Sequence, residues 1–141
     1  MKSLAIVCLL LCGSALAFRK QGVAVKGTLV CNGVPEVGTK VKTWDVDRNP
    51  GDSDDQLAAA VTDRKGYFEL DGTTRETTQI EPELRVYTDC NDGPAPCRRV
   101  LTFPVPPEYI HTGKAEKIYD FGRIELKDKQ EKERRTCKED Q

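Results

Sequence analysis

Between Val23 and Leu126 the chain is divided into short runs in which apolar and polar residues alternate, each closed by Gly, Pro, Asn or Asp. Alternation with a period of two puts successive side chains on opposite faces of a strand, and many such runs in close succession specify an all-β fold rather than helices packed on a sheet. Residues 23–31 (VAVKGTLVC) put Val23, Val25, Leu29 and Cys31 on one face, and the following NGVP is a turn. Residues 39–45 and 57–62 read as two further strands. The stretch TDRKGYFEL then reads as strand end, Asp-x-x-Gly turn and strand, with Gly66 supplying the positive φ and Phe68 and Leu70 facing inward.

Residues 82–89 continue the pattern with Leu84 and Val86, and residues 98–105 with Val100, Leu101 and Val105. Pro104, Pro106 and Pro107 confine that run to an edge or a strand end, because proline has no N–H for the ladder. The last expected strand covers residues 117–126, with Gly122 marking a bulge or a close backbone approach. This makes seven or eight antiparallel strands in a single β-sandwich.

The ends of the chain set its compartment. Lys2, the apolar run at residues 4–13 and the small-x-small site Ala15-Leu16-Ala17 predict a secretory signal peptide over residues 1–17. That run is shorter than the roughly 20 residues needed to cross a bilayer, so no transmembrane segment is expected. Cys8 and Cys12 leave with the signal, while Cys31, Cys90, Cys97 and Cys137 remain. Four cysteines in an oxidising compartment allow two disulfides in three pairings; none has C-x-x-C spacing, and His111 is the one histidine, so no metal or cofactor is expected.

The 124 residues after the signal suffice for one domain, which we place at residues 18–126. They carry 21 basic and 23 acidic side chains, a balance that gives no reason to expect nucleic acid as a partner. Residues 127–141 hold six basic and five acidic residues and no large apolar one, which predicts a charged C-terminal tail tethered by Cys137, either a short helix or flexible chain.

The sequence from Asp45 to Asp55, DVDRNPGDSDD, matches an EF-hand loop at Asp45, Asp47 and Asn49. Pro50 stands where the loop needs glycine and Gln56 where it needs a bidentate glutamate, so a solvated hairpin connection with Asn-Pro-Gly as its turn is the reading here, with a weak calcium site as the alternative.

In order, the segments VKGTLVCNGVP, VKTWDVD, TDRKGYFELDG, PELRVYTDCN, PCRRVLTFPVPPEYI, YDFGRIEL and RRTC resemble the nematode transthyretin-like family from about Gly22 to Cys137. The resemblance implies a secreted transthyretin-like (prealbumin-like) sandwich of two sheets, acting as an extracellular carrier or interaction protein. The family tends to carry leucine and tyrosine where this chain has Thr43 and Trp44, and often a histidine where it has Asp89. The 5-hydroxyisourate hydrolases, which resemble transthyretin, use several histidines, an arginine and a C-terminal Tyr-Arg-Gly-Ser. This chain has His111 alone and ends in CKEDQ, so no catalytic residue is assigned and a non-enzymatic protein is expected.

For the cysteines, Cys90 and Cys97 bracket the loop NDGPAP and are expected to pair, leaving Cys31 to hold Cys137. For binding, if Val41 and Thr43 face the core, alternation puts Trp44 outward beside Lys42 and near Tyr87. The competing reading packs Trp44 under the acidic loop or turns it inward through a register shift. The function these residues favour is an extracellular interaction module for a receptor, a matrix component or a lipid surface. The alternatives are an oligomeric carrier of a small hydrophobic ligand and, least favoured, a hydroxyisourate hydrolase-like enzyme.

Overall fold

A computed structural model describes residues 19–48 and 53–138; the signal segment and the Asn-Pro-Gly turn expected at 49–51 lie outside the described residues. Seven strands of six or more residues carry the fold: β1 (Arg19–Cys31), β3 (Lys40–Asp45), β4 (Asp55–Val61), β5 (Tyr67–Glu76), β6 (Pro82–Thr88), β7 (Arg98–Pro104) and β9 (Ile118–Glu125). Three short strands complete the ladders: β2 (Val34–Pro35), β8 (His111–Thr112) and β10 (Arg134–Thr136). Sheet A has β1 at its centre, flanked by β5 and β9 with β2 and β8 also paired to it; sheet B runs β10-β7-β6-β3-β4.

The alternation sorts side chains between faces as expected. Val23, Val25 and Leu29 of β1 and Phe68 and Leu70 of β5 meet Val41, Leu84, Val86 and Leu101 of sheet B in one buried cluster. Burial of a side chain of this size stabilises by about 1.5–3 kcal/mol, so this layer dominates the folding energy. Gly66 has φ +77°, and Asp63 accepts the N–H groups of Lys65 and Tyr67 through its carboxylate, which closes the expected Asp-x-x-Gly turn.

Pairing is antiparallel except between β1 and β9, which run parallel. Their register slips between Lys26 and Thr28, opposite Gly122 with φ +69°. The Gly122 N–H is taken by the Asp120 carboxylate at 2.8 Å instead of by a neighbouring strand. β9 has no strand partner on its other side among the described residues.

The segment after Leu126, expected to be a tail, is neither helix nor loose chain over its described part. Residues 134–136 add β10 to sheet B, antiparallel to β7. Glu133 is drawn into the fold by Arg99, and Gln130 accepts the Thr102 N–H at 3.1 Å.

The same strand corrects the disulfide pairing. The bonds are Cys31–Cys90 and Cys97–Cys137, not Cys90–Cys97 and Cys31–Cys137. Arg98 opposes Thr136 in the β7–β10 ladder, so Cys97 and Cys137, the next residues outward, face each other, with Cα atoms 4.5 Å apart. Cys31 ends β1 in sheet A and Cys90 follows β6 in sheet B, and their bond, with Cα atoms 5.8 Å apart, staples one sheet to the other.

Candidate functional site

The β3–β4 hairpin gathers acidic groups at one end of the sandwich. Asp45 and Asp55 are paired across the ladder, so the acidic stretch is the connection of a hairpin. Carboxylate oxygens of Asp45, Asp55 and Glu76 lie within 4.8 Å of one another, brought together by the ends of β3, β4 and β5. Burial, outweighing the hydrogen bond from the Glu81 N–H, raises the Asp45 pKa, with Asp55 and Asp47 adding to the effect. Glu76 is also raised, chiefly by its hydrogen bond with Asp55. These three carboxylates are close enough together to face one hard cation such as calcium, and only Asp45 belongs to the EF-hand-like pattern.

A groove of about 670 Å³ opens beside this cluster, with Val46, Ile80, Pro82, Val105 and Ile110 among its apolar lining and Arg48, Glu81 and Glu83 among its polar lining. Pro104, Pro106 and Pro107 end the β7 ladder, and the 3-10 turn Pro107–Tyr109 carries the chain across the end of the sandwich. The opposite wall is fixed by Gln21, whose amide donates to the Thr78 carbonyl at 2.7 Å and accepts the Ile80 N–H at 3.0 Å. Arg48 and Glu81 pair across the rim at 2.8 Å with both side chains exposed. Nothing in the sequence periodicity announces this groove, because it is assembled from connections and from the ends of β6 and β7.

Trp44, Lys42 and Tyr87 lie together on the outer side of sheet B, apart from the central cluster. They are 9%, 5% and 3% exposed, so they are packed residues. The Trp44 Nε1–H donates to the Tyr87 hydroxyl at 3.2 Å, and Lys42 Nζ sits 5.7 Å and 5.6 Å from the two ring centroids. Arg85 stacks over Trp44 at 4.8 Å and is held by Asp54 and Glu83 at 2.6 and 2.7 Å. Burial, the largest single effect, raises the Asp54 pKa, but the Arg85 hydrogen bond, the Asp47 N–H and the Arg85 charge together outweigh it, and the net value is lowered. Sequence reading passed over Arg85, although its place two residues before Tyr87 puts both on one face. The expected register shift exists between Thr43 and Trp44, but the extra residue is Leu57 of β4, which packs against the core while Trp44 stays on the outer side.

The remaining candidates are scattered. His111 lies in β8, opposite Gly22, and its Nδ1 is buried without a partner. Thr43, in the position where apolar packing is expected, is 1% exposed and its hydroxyl has no partner. At the far end Arg99 is buried, donating to the carbonyls of Cys90 and Leu126 at 2.7 and 2.8 Å and pairing with Glu133 at 2.9 Å.

A sequence profile of the transthyretin-like family matches residues 26–106. Transthyretin-like protein 5 of Caenorhabditis elegans is 43% identical over 97% of this chain and 99% of its own length. Transthyretin-like protein 2 of the same nematode is 44% identical over 97% and 99%, and transthyretin-like protein 33 is 41% identical over 96% and 92%.

Proposed function

This chain belongs to the transthyretin-like family, and from that premise we propose that it is a secreted, non-enzymatic binding module that engages an extracellular protein through the groove at its acidic end. The observation that carries this reading is the combination of an apolar floor at Ile80, Val105 and Ile110 with a charged rim of Arg48, Glu81 and Glu83. An apolar centre bounded by charge is the usual anatomy of a recognition site. The neighbouring carboxylates of Asp45, Asp55 and Glu76 add negative charge, which favours a segment combining apolar and basic side chains over an anionic lipid surface. The two cystines fit the oxidising compartment that such a role requires.

Catalysis is the weaker reading. The buried ionisable groups are committed to structure: Arg85 to Asp54 and Glu83, Arg99 to Glu133, and Asp45 to the Glu81 N–H. His111 has no acid–base partner in its surroundings among the described residues, where it sits with Arg19, Gln21, Gln79, Ile110 and Thr112.

Selection of displayed peptides against the protein tests the proposal. Enriched sequences should join an apolar residue to lysine or arginine and lose affinity on Ile110→Asp; enrichment of acidic peptides, or insensitivity to that substitution, would refute it. A small hydrophobic ligand is the second reading, because about 670 Å³ lies within the roughly 300–1,000 Å³ range of small-molecule pockets. Native mass spectrometry separates the two, since a retained small mass supports the carrier and also reports the oligomeric state.

A further inference from the structure

Glu81 and Glu83 both line the groove at the hairpin end, but they are held by arginines of opposite character. Arg85, a side chain only 9% exposed that also pairs with Asp54, reaches Glu83 through Nη2 at 2.7 Å and Nε at 2.8 Å. The Glu81 carboxylate is met by Arg48 Nε at 2.8 Å, and these two side chains are 54% and 81% exposed. An ion pair so open to water contributes little, because solvent serves each charge nearly as well, and a second cation can replace the first at small cost. One rim carboxylate is therefore committed to the fold and the other is exchangeable.

The backbone explains why Arg48 sits there. The Asp45 carboxylate accepts the Glu81 N–H at 2.9 Å, and the Val46 N–H donates to the Glu81 carbonyl at 3.0 Å. These bonds fix residue 81 through its main chain and fasten the exit of β3 to it, so that Arg48, two residues farther on and outside any strand, reaches the carboxylate. Arg48 is the one cation among the described residues that line the groove. A guanidinium on a flexible stem, set beside apolar side chains and against a carboxylate, makes the contact that a basic residue of a partner segment would make. We infer that Arg48 is an internal occupant of the position at which the groove reads a partner's basic side chain, and that it must leave Glu81 before the partner is engaged. This rests on the binding reading given above, and adds to it which carboxylate reads the charge and what competes for it. A tethered competitor is present at high local concentration, and it lowers the apparent affinity by the fraction of time Glu81 is covered.

The test is titration of the protein with acetyl-Ile-Arg-Ile amide and with its neutral isostere, in which citrulline replaces arginine, followed by amide NMR and by the Arg48 Nε–H resonance. The arginine probe should shift the amides of Ile80, Glu81 and Ile110, move the Arg48 resonance, and bind more tightly than the citrulline probe. Arg48→Gln should tighten the arginine probe about threefold, the scale of one exposed ion pair. Glu81→Gln should remove the preference for arginine over citrulline, and Arg48→Gln added to it should change nothing further, because nothing is left to compete for. Both substitutions change exposed side chains, so folding is not at risk. Probes that bind the groove without preferring arginine, or an affinity unmoved by Arg48→Gln, would overturn the inference and leave the groove a binding site. Groove shifts seen with Arg48→Gln but not with the unaltered protein would support it as complete masking. No groove shifts with either protein would overturn the inference together with the reading it rests on.

Discussion

Both ends of the sandwich bury an arginine against two or more acceptors, yet they differ in how firmly they are closed. At the cystine end Arg99 is tied to two buried backbone carbonyls and to Glu133, whose side chain is 8% exposed, and two disulfides fix the strand termini around it. At the hairpin end Arg85 meets Asp54 and Glu83, which are 31% and 21% exposed, and among the described residues no covalent tie joins the sheets there. Water can replace the partners of Arg85 but not those of Arg99. Similar ion pairs are therefore structural at one end and adjustable at the other, and the adjustable end is the one with the larger groove.

The largest effect should come from removing the staple between the sheets. Cys31→Ser with Cys90→Ser should cost about 4 kcal/mol in urea unfolding, given the separation of 59 residues that the bond closes. A loss under about 1 kcal/mol would mean that the cystine end is not held covalently in any important sense. Arg99→Ala should follow, at about 3 kcal/mol, because it leaves Glu133 buried and the two carbonyls without a donor. Arg85→Ala should cost less, about 1–2 kcal/mol, and should also raise the fluorescence response of Trp44 to quenchers. Equal losses at the two arginines would erase the contrast. Thr43→Val should stabilise by about 1 kcal/mol, as it removes a buried hydroxyl with no partner from between the two ends.

The smallest effect is one of acidity. Arg99 lowers the pKa of Glu133 and Arg135 lowers that of Asp92, so the stability these groups supply is present above the ordinary carboxylate pKa and is lost as pH falls through their lowered values. Asp45, raised chiefly by burial, and Glu76, raised chiefly by Asp55, behave in the opposite sense. Their contribution is complete below the ordinary carboxylate value and is lost as pH rises through the raised ones. Hydrogen exchange, corrected for intrinsic rates, should therefore show strand ends near Asp45 tightening on mild acidification while those near Arg99 loosen only at lower pH. Parallel changes at both ends would contradict this.

Most of the sandwich was legible because its long strands bury one face, and burial writes a period of two into the sequence. Val41, Leu84, Val86 and Leu101 fall on the core side as the alternation requires. β10 left no such mark: Arg134, Arg135 and Thr136 join the sheet through backbone hydrogen bonds, which carry no side-chain signature. Missing that strand produced the wrong cysteine pairing, since only the β7–β10 ladder sets Cys97 opposite Cys137. The parallel direction of β9 was equally hidden, because a strand's pattern records which face is buried and not which neighbour lies alongside. For Trp44 the outward face and a packed position were both readable, but the partners that cover it were not, since Arg85 and Tyr87 come from β6.

The kink at Gly122 also bears on how these molecules meet one another. A straight outermost strand offers an uninterrupted row of main-chain groups on which a second molecule could align. In β9 that row is broken midway, and the Gly122 N–H is turned back to Asp120. Sheet A thus ends in a margin that discourages molecules from joining strand to strand, so even in a crowded solution they would stay separate along that side.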